Sequence, residues 1–141
     1  MRAITFVIPM EPRGKGRPRA TSIAGRARQY TPAKTRAWEA EFAARAERYM
    51  PADQMIGCVA LMAVFVFKRP QRLNAKKYPE GLIAHDRKPD CDNCLKSTID
   101  ALSAWFQHGD QQIQQIYASK FYAERSGRPR IEITIKEMND A

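Results

Sequence analysis

Apolar and polar side chains alternate with a period of two at the start of the chain. Ile4, Phe6 and Ile8 share one side of residues 3 to 8, and Pro9 ends the pattern. A period of two is typical of a half-buried strand, which proline closes. We therefore predict that a strand opens the domain.

The last third of the chain carries two further strand patterns, at residues 115 to 123 and 130 to 136. In the second, Ile131, Ile133 and Ile135 alternate with polar residues and should face inward. The turn residues Ser126-Gly127 lie between them. We predict an antiparallel hairpin.

Residues 58 to 67 are apolar almost without interruption and are rich in β-formers. Such a run is expected of a strand that is covered on both faces. We predict that it forms the centre of the sheet.

Two segments have helical periodicity. In the first, Thr31 and Pro32 resemble an N-cap followed by proline at the first helical position. The aromatic stripe that follows should pack on the sheet and consists of Trp38, Phe42, Ala46 and Tyr49.

The second helix is predicted from Asp92 to about Phe106, with Gly109 at its exit. Its apolar face would consist of Leu95, Ile99, Leu102 and Phe106.

The order strand, helix, strand, helix, strand, strand favours an α/β (α+β) fold with a mixed sheet flanked by helices. A length of 141 residues suits one domain, which we expect to span residues 1 to 141.

Charge changes this picture, because 24 Lys and Arg against 15 Asp and Glu leave a net charge of +9. The excess is concentrated in a basic arm at residues 12 to 31 and continues in a basic loop at residues 68 to 89. Nucleic acid is the leading candidate for the anionic partner. A solvated, partly flexible arm is the alternative.

The predicted DNA contacts are Arg13, Lys15, Arg17, Arg19, Arg26, Arg28, Lys68, Arg69 and Lys88. Gly14, Gly16 and Gly25 would let the backbone approach phosphates closely.

Three cysteines and the lack of a recognisable secretory signal argue against a disulfide framework and favour a reducing, cytoplasmic compartment. No apolar stretch approaches the roughly 20 residues of a membrane span. Cys91 and Cys94 have the spacing of a zinc or redox motif, but two further ligands are not evident. We expect them to be small hydrophobic residues under the start of the second helix.

Asp90 and Asp92 stand out in this basic chain. In an extended segment they point to the same side and converge. Paired carboxylates suit Mg²⁺, which lowers the pKa of a water and neutralises phosphate charge. Lys96 would then add a fixed positive charge near the reacting phosphate. The alternative is a helix cap followed by a surface salt-bridge series of Asp92, Lys96 and Asp100.

The segment Asp90-Cys-Asp92-Asn93-x-x-Lys96-x-x-x-Asp100-Ala-Leu, with Asp110 before Gln111-Gln112-Ile113, resembles the central motif of RusA-type Holliday junction resolvases. The opening strand, the Lys15 to Arg19 arm and Tyr30-Thr31-Pro32 extend the resemblance over nearly the whole chain. The resemblance implies a homodimeric α/β fold, Mg²⁺-dependent paired nicking of four-way DNA junctions and a gene that is often prophage-derived. It also implies that Asp90, Asp92 and Asp110 are metal ligands and that Lys96 is a catalytic cation.

Helix length adds a constraint on Asp110. A helix over residues 93 to 106 is roughly 20 Å long, and four loop residues retrace only about 13 Å. A site shared by Asp92 and Asp110 of one chain would be strained. Two antiparallel copies of this helix across a two-fold axis would instead form composite sites.

Two other functions fit the same residues. One is a less structure-selective nuclease that acts on branched or duplex DNA with the same metal site. The other is a non-catalytic basic DNA-binding protein, for which the arm and the loop suffice and the aspartates only cap a helix.

Overall fold

The strand that was predicted to be central does lie at the centre of the main sheet. The computed structural model describes residues 2–16 and 19–138, which form a single domain. Its strands are β1 (Ala3–Ile8), β2 (Arg19–Ile23), β3 (Arg26–Tyr30), β4 (Val59–Phe67), β5 (Ile83–Ala84), β6 (Ile113–Tyr122) and β7 (Arg130–Glu137). Its α-helices are α1 (Ala33–Ala46) and α2 (Cys91–Ala101). The sheet order is β1-β7-β4-β6-β5, so the predicted mixed sheet with helices is confirmed.

β4 pairs in parallel with β6 and antiparallel with β7. Its second half, Phe65 to Phe67, is buried on both faces as predicted. In its first half only alternate residues are buried. Met62, on the face away from the helices, is 53% exposed. The expectation of cover on both faces is therefore wrong for that half.

The predicted hairpin between the last two strands is also wrong. β6 and β7 run in opposite directions, but β4 lies between them and pairs with both. The apolar β4 thereby satisfies both of its backbone edges inside the sheet. The inward orientation of Ile131, Ile133 and Ile135 is confirmed, since each is at most 1% exposed.

Helix α1 packs its aromatic stripe on the sheet as predicted. Phe42 and Ala46 are fully buried, Trp38 stacks on Phe42, and Tyr49 stacks on Phe6 of β1. The cap prediction is off by one residue, because Pro32 is the N-cap and the helix begins at Ala33.

Helix α2 is shorter than predicted, since it ends at Ala101. A 3₁₀ turn over Ser103–Trp105 follows and brings Trp105 into the core. The apolar residues Leu102 and Phe106 are buried by this turn and not by a continuous helix. Gly109 has φ +85°, a conformation that favours glycine, and leads into a second turn over Asp110–Gln112.

The basic arm contains a hairpin that the sequence pattern did not indicate. β2 and β3 form a separate two-stranded antiparallel sheet, and every residue of β3 is exposed. Ala24 and Gly25 both have positive φ in the connecting turn. Positive φ at both central residues is typical of a type I′ hairpin turn.

The basic loop at residues 68 to 89 is held by two arginines. The Arg69 guanidinium is buried and donates to the carbonyls of Ala123, Leu73 and Gly81. Arg125 donates to the carbonyl of Tyr78 and pairs with Glu80. The loop is therefore closed on itself and against the end of β6. Among the described residues, no helix is long and apolar enough to cross a membrane.

Candidate metal and DNA site

The two central aspartates lie in the first turn of α2, and both are exposed. Asp90 is the N-cap residue, yet its carboxylate makes no capping hydrogen bond. Asp92 lies inside the helix and accepts the backbone N–H of Asn93 at 3.0 Å. The expectation of an extended segment through Asp92 is wrong, because the helix already begins at Cys91. Asp90 as the N-cap and Asp92 two positions later both lie at the start of α2.

The start of the basic arm lies along this turn of α2. The N–H of Lys15 donates to the Asn93 carbonyl at 3.0 Å, and the Ser97 hydroxyl donates to the Arg13 carbonyl at 2.5 Å. A Cβ at Gly14 would lie 2.8 Å from Cβ of Pro89, so only glycine permits this approach. Gly14 thus serves the packing of the arm against Pro89, and its expected approach to phosphate stays a prediction.

Asp90 opens onto a groove of about 600 Å³ between the arm and α2. Cationic and anionic side chains both line this groove, including Glu11, Arg13, Lys88 and Asp90. Glu11 accepts the N–H of Lys68 at 3.1 Å, and burial raises the pKa of its carboxyl group. A groove with carboxylates among cations suits a phosphate chain held beside a divalent ion.

The segment before Asp90 is held by a residue that the sequence analysis missed. Lys120 of β6 donates its ammonium to the carbonyls of Arg87 and Pro89, the latter at 2.8 Å. It is therefore a positioning residue for the start of α2. No local pattern marks it, because the contact joins residues about 30 positions apart.

His85 was also missed. Its ring is buried, stacks on Tyr122 with centroids 4.1 Å apart, and lies edge-on to Phe67. Burial lowers the pKa of His85, with nearby Lys120 acting in the same direction. It anchors β5 beside the groove.

Two lysines of the predicted site carry ion pairs. The Lys15 ammonium lies 3.0 Å from carboxylate oxygens of both Glu39 in α1 and Asp100 in α2. Lys96 is exposed and pairs with Asp100 at 3.2 Å. Part of the predicted salt-bridge series is thus present. Lys15 joins the arm to both helices through its charge.

Asp110 is not brought together with the other two aspartates within one chain. It lies just before β6 begins, whereas Asp90 lies near Lys120, close to the other end of that strand. The seven-residue separation of Ile113 and Lys120 spans about 23 Å in a strand. No three His, Cys, Asp or Glu side chains form a metal-binding group among residues 2–16 and 19–138.

The predicted DNA contacts differ in their exposure. Arg13, Arg26, Arg28, Lys68 and Lys88 are exposed. Arg69 is buried in carbonyl contacts and serves the loop, in contrast to the predicted role. Arg17 lies outside the described residues, and Arg19 contributes its backbone to β2.

The two thiols of α2 are inward-facing. Cys94 is fully buried, and burial raises its pKa to about 12. Cys91 is partly buried. Cys94 is therefore protonated at neutral pH and packs as a small apolar residue, as predicted for the start of this helix.

Comparison with known proteins supports the family resemblance that the sequence motif indicated. Residues 9–136 match the family model described as Endodeoxyribonuclease RusA. The chain is also similar to "Uncharacterized protein YqaN" of Bacillus subtilis (strain 168), with 32% identity over 144 residues that cover 99% of each protein. The family resemblance predicted from the sequence is thereby confirmed.

Proposed function

Since the chain belongs to the RusA family of endodeoxyribonucleases, we propose that it resolves four-way DNA junctions by Mg²⁺-dependent hydrolysis at Asp90 and Asp92. The observation that carries this proposal is an N-cap aspartate whose carboxylate is not used for capping and opens onto a basic groove. A capping role would have engaged that carboxylate with the helix backbone.

The donor set at the start of α2 fits Mg²⁺. Asp90 and Asp92 offer exposed carboxylate oxygens within one helical turn. Mg²⁺ typically takes one or two protein carboxylates and keeps several waters. When bound, the ion supplies an acidified water and neutralises charge at the scissile phosphate.

The protein's own residues bind and orient the strand. Arg13 and Lys88 line the groove and face the phosphates, while Lys120 fixes the backbone that precedes Asp90. Lys96 gives up its exposed pair with Asp100, which contributes only about 0.3–0.5 kcal/mol, and turns toward the reacting phosphate. The cationic hairpin β2–β3 extends the contact surface along the DNA.

Paired nicking of a junction requires two active sites, which we propose that a homodimer supplies. A two-fold symmetric enzyme presents the same site to two strands of the junction. Asp110 lies apart from Asp90 and Asp92 within one chain, so each metal site would take it as a third carboxylate from the other subunit.

The test is cleavage of a four-way junction and of a linear duplex with the same arm sequence, with Mg²⁺ and with EDTA. We expect junction nicking that requires Mg²⁺ and falls by about 100-fold or more in Asp92→Asn, since losing a residue that only supports a ligand already costs about 10–100-fold. Binding should persist or tighten, because a charge that repels phosphate is removed.

The matched control is Asp53→Asn, which removes one exposed carboxylate outside the groove and should cleave normally. Equal cleavage of the linear duplex would favour the less selective nuclease. Tight junction binding with no cleavage under any metal condition would favour the non-catalytic DNA-binding protein.

A further inference from the structure

The two faces of the β2–β3 hairpin differ in charge. Successive residues of a strand point to opposite faces, so Arg26, Arg28 and Tyr30 of β3 share one face, which we call the Arg-Tyr face. The side chains described on the other face are uncharged and mostly small, and they are Ala20, Ser22, Ala27 and Gln29. The hairpin therefore offers a single cationic face to a partner.

Within the described residues, the two arginines of this face have no counter-charge. Arg26 and Arg28 are exposed, and neither makes an ion pair or a side-chain hydrogen bond with another described residue. Arg130 differs, because its guanidinium pairs with Glu124 at 3.0 Å. The guanidinium groups of the Arg-Tyr face are thus open to an anionic ligand such as phosphate.

Tyr30 brings an exposed aromatic ring to the same face. Its side chain is 45% exposed and lies outside the hydrophobic core. Tyr49 and Tyr122 differ, because they stack on Phe6 and His85. Among the described residues, no ring stacks on Tyr30. Proteins that bind unpaired nucleotides combine these two features, because cations hold the backbone while aromatic rings stack on bases.

The base of the hairpin is attached beside the start of α2. Shortly before β2, the N–H of Lys15 donates to the carbonyl of Asn93 in that helix. Tyr30 pairs with Arg19 at the base of the hairpin, whereas Arg26 lies next to the turn. Five strand residues span about 17 Å, which covers about five base pairs at 3.4 Å each. Tyr30 thus lies at the anchored end of the face, and the two arginines lie toward the turn.

We propose that the Arg-Tyr face recognises the branch point of a four-way junction, where Tyr30 stacks on a base and Arg26 and Arg28 bind the phosphates next to it. The inference rests on the proposed function for the identity of the DNA. At a branch point the base stack is interrupted, so a base can meet a protein ring at little cost. In a continuous duplex the same base would first have to leave its stack and its pair.

The two kinds of side chain therefore contribute differently to recognition. Stacking on Tyr30 favours a junction over a duplex. The arginines contact phosphates, which both kinds of DNA present, so they position either one without selecting between them.

The first test measures affinity for a four-way junction and for a linear duplex with the same arm sequence, in EDTA so that no strand is cut. Tyr30→Val removes the ring but keeps a strand-forming side chain. It should lower junction affinity by about 5-fold or more, as expected for the loss of one base–aromatic contact, and change duplex affinity by less than about two-fold. Tyr30→Phe is the matched variant that retains the ring, and it should bind as the wild type does.

The control is Gln29→Ala, which lies between Arg28 and Tyr30 in sequence but on the opposite face, and should change neither affinity. Arg28→Gln should weaken binding to junction and duplex by the same factor and make the salt dependence shallower by about 0.9. A wild type that binds both DNAs equally, or equal losses for both DNAs in Tyr30→Val, overturns the proposal. A loss of junction preference in Gln29→Ala overturns it as well.

The second test locates the contact directly. A 5-iodouracil base, which bonds covalently to an adjacent aromatic ring on irradiation, is placed either at the branch point or one helical turn away along an arm. Mass spectrometry of the digested conjugate should identify Tyr30 with the branch-point probe alone. Conjugation of that probe to other residues and never to Tyr30, while junction binding is intact, overturns the stacking.

Nicking in Mg²⁺ is measured separately, so that the two proposals can fail independently. If junction preference in EDTA depends on Tyr30 but the wild type cuts no DNA, the proposed hydrolysis fails and the role of the Arg-Tyr face stands. If the wild type nicks junctions and Tyr30→Val keeps its full junction preference, the proposed hydrolysis stands and the role of the Arg-Tyr face fails.

Discussion

The five-stranded sheet and the β2–β3 hairpin are both built from paired strands, but they differ in what their side chains contact. In the sheet, Leu61 and Phe65 of β4 are fully buried. In the hairpin, all five residues of β3 are exposed. In both regions neighbouring strands exchange backbone hydrogen bonds along their paired edges.

The difference shows that strand pairing alone does not explain why each region exists. A two-stranded hairpin without a buried face is marginally stable in water. The sheet is stabilised by apolar burial, at about 25 cal/mol per Å². The hairpin instead carries Arg19, Arg26 and Arg28 with no acidic residue among them. We infer that its sequence serves binding to an anionic partner.

The largest effect is expected when the hairpin is removed. Arg19 pairs with Tyr30, so a short Gly-Ser linker can replace residues 19 to 30 without moving the chain ends. For binding to duplex DNA, the logarithm of the association constant falls as the logarithm of the salt concentration rises. Loss of three arginines should make this negative slope shallower by up to about 3 × 0.9, or 2.7. The free energy of unfolding in urea should change by less than about 0.5 kcal/mol.

The reciprocal control is Phe65→Ala in β4. A fully buried phenylalanine replaced by alanine should cost about 3–5 kcal/mol of unfolding free energy and leave the salt slope unchanged while the protein is folded. An unchanged salt slope after hairpin removal, or a large loss of stability, would contradict the division between the two regions.

The regular elements of the sheet were predictable because their patterns are local. The alternation around Phe6 and around Ile133 and the apolar run of β4 each identify a strand and its buried side. Strand neighbours were not predictable in this way. The hairpin predicted from Ser126-Gly127 is replaced by β4 between the two strands, which depends on contacts distant in sequence.

The site was predictable to a similar extent. Asp90, Asp92 and Lys96 form a short motif that lies at the start of α2, and their role at a metal site stays a proposal. The role of Lys120 could not be predicted, because it depends on a hydrogen bond from β6 to the carbonyl of Pro89, which is distant in sequence. Arg69 was assigned to DNA by charge alone, although burial directs it to backbone carbonyls.

A smaller effect is expected at Lys15, which joins the basic arm to helices α1 and α2. Burial would lower the pKa of Lys15, but hydrogen bonds with Glu39 and Asp100 outweigh burial and raise it. Lys15→Met leaves these two carboxylates without their shared cation and should lower the free energy of unfolding by about 1–3 kcal/mol. Because folding raises the pKa of Lys15, its charge stabilises the folded protein fully at pH values below the ordinary lysine pKa of 10.5. This contribution is lost as the pH rises through the raised pKa of the folded state.

The matched control is Lys96→Met, which removes a cation from the same Asp100 but at an exposed position. It should cost only about 0.3–0.5 kcal/mol. Urea unfolding at pH 7 and above pH 11 measures both variants. Equal losses for the two, or a Lys15 effect that persists undiminished at high pH, would show that the charge of Lys15 does not join the arm to the helices.

The smallest effect is expected in the turn of the hairpin. Ala24 has φ +53°, where a non-glycine residue costs roughly 1–2 kcal/mol. Ala24→Asn creates the Asn-Gly pair that type I′ turns prefer, and should favour the closed hairpin by about 1 kcal/mol, roughly five-fold. Amide exchange in β2 and β3 should slow accordingly, while the global urea midpoint stays unchanged because the hairpin side chains that the structure describes are exposed and outside the core. The control is Ala20→Asn, an exposed strand position that should gain no protection. A shift of the global midpoint in Ala24→Asn would mean that hairpin and sheet unfold together, which would remove the distinction between a stabilising region and a binding region.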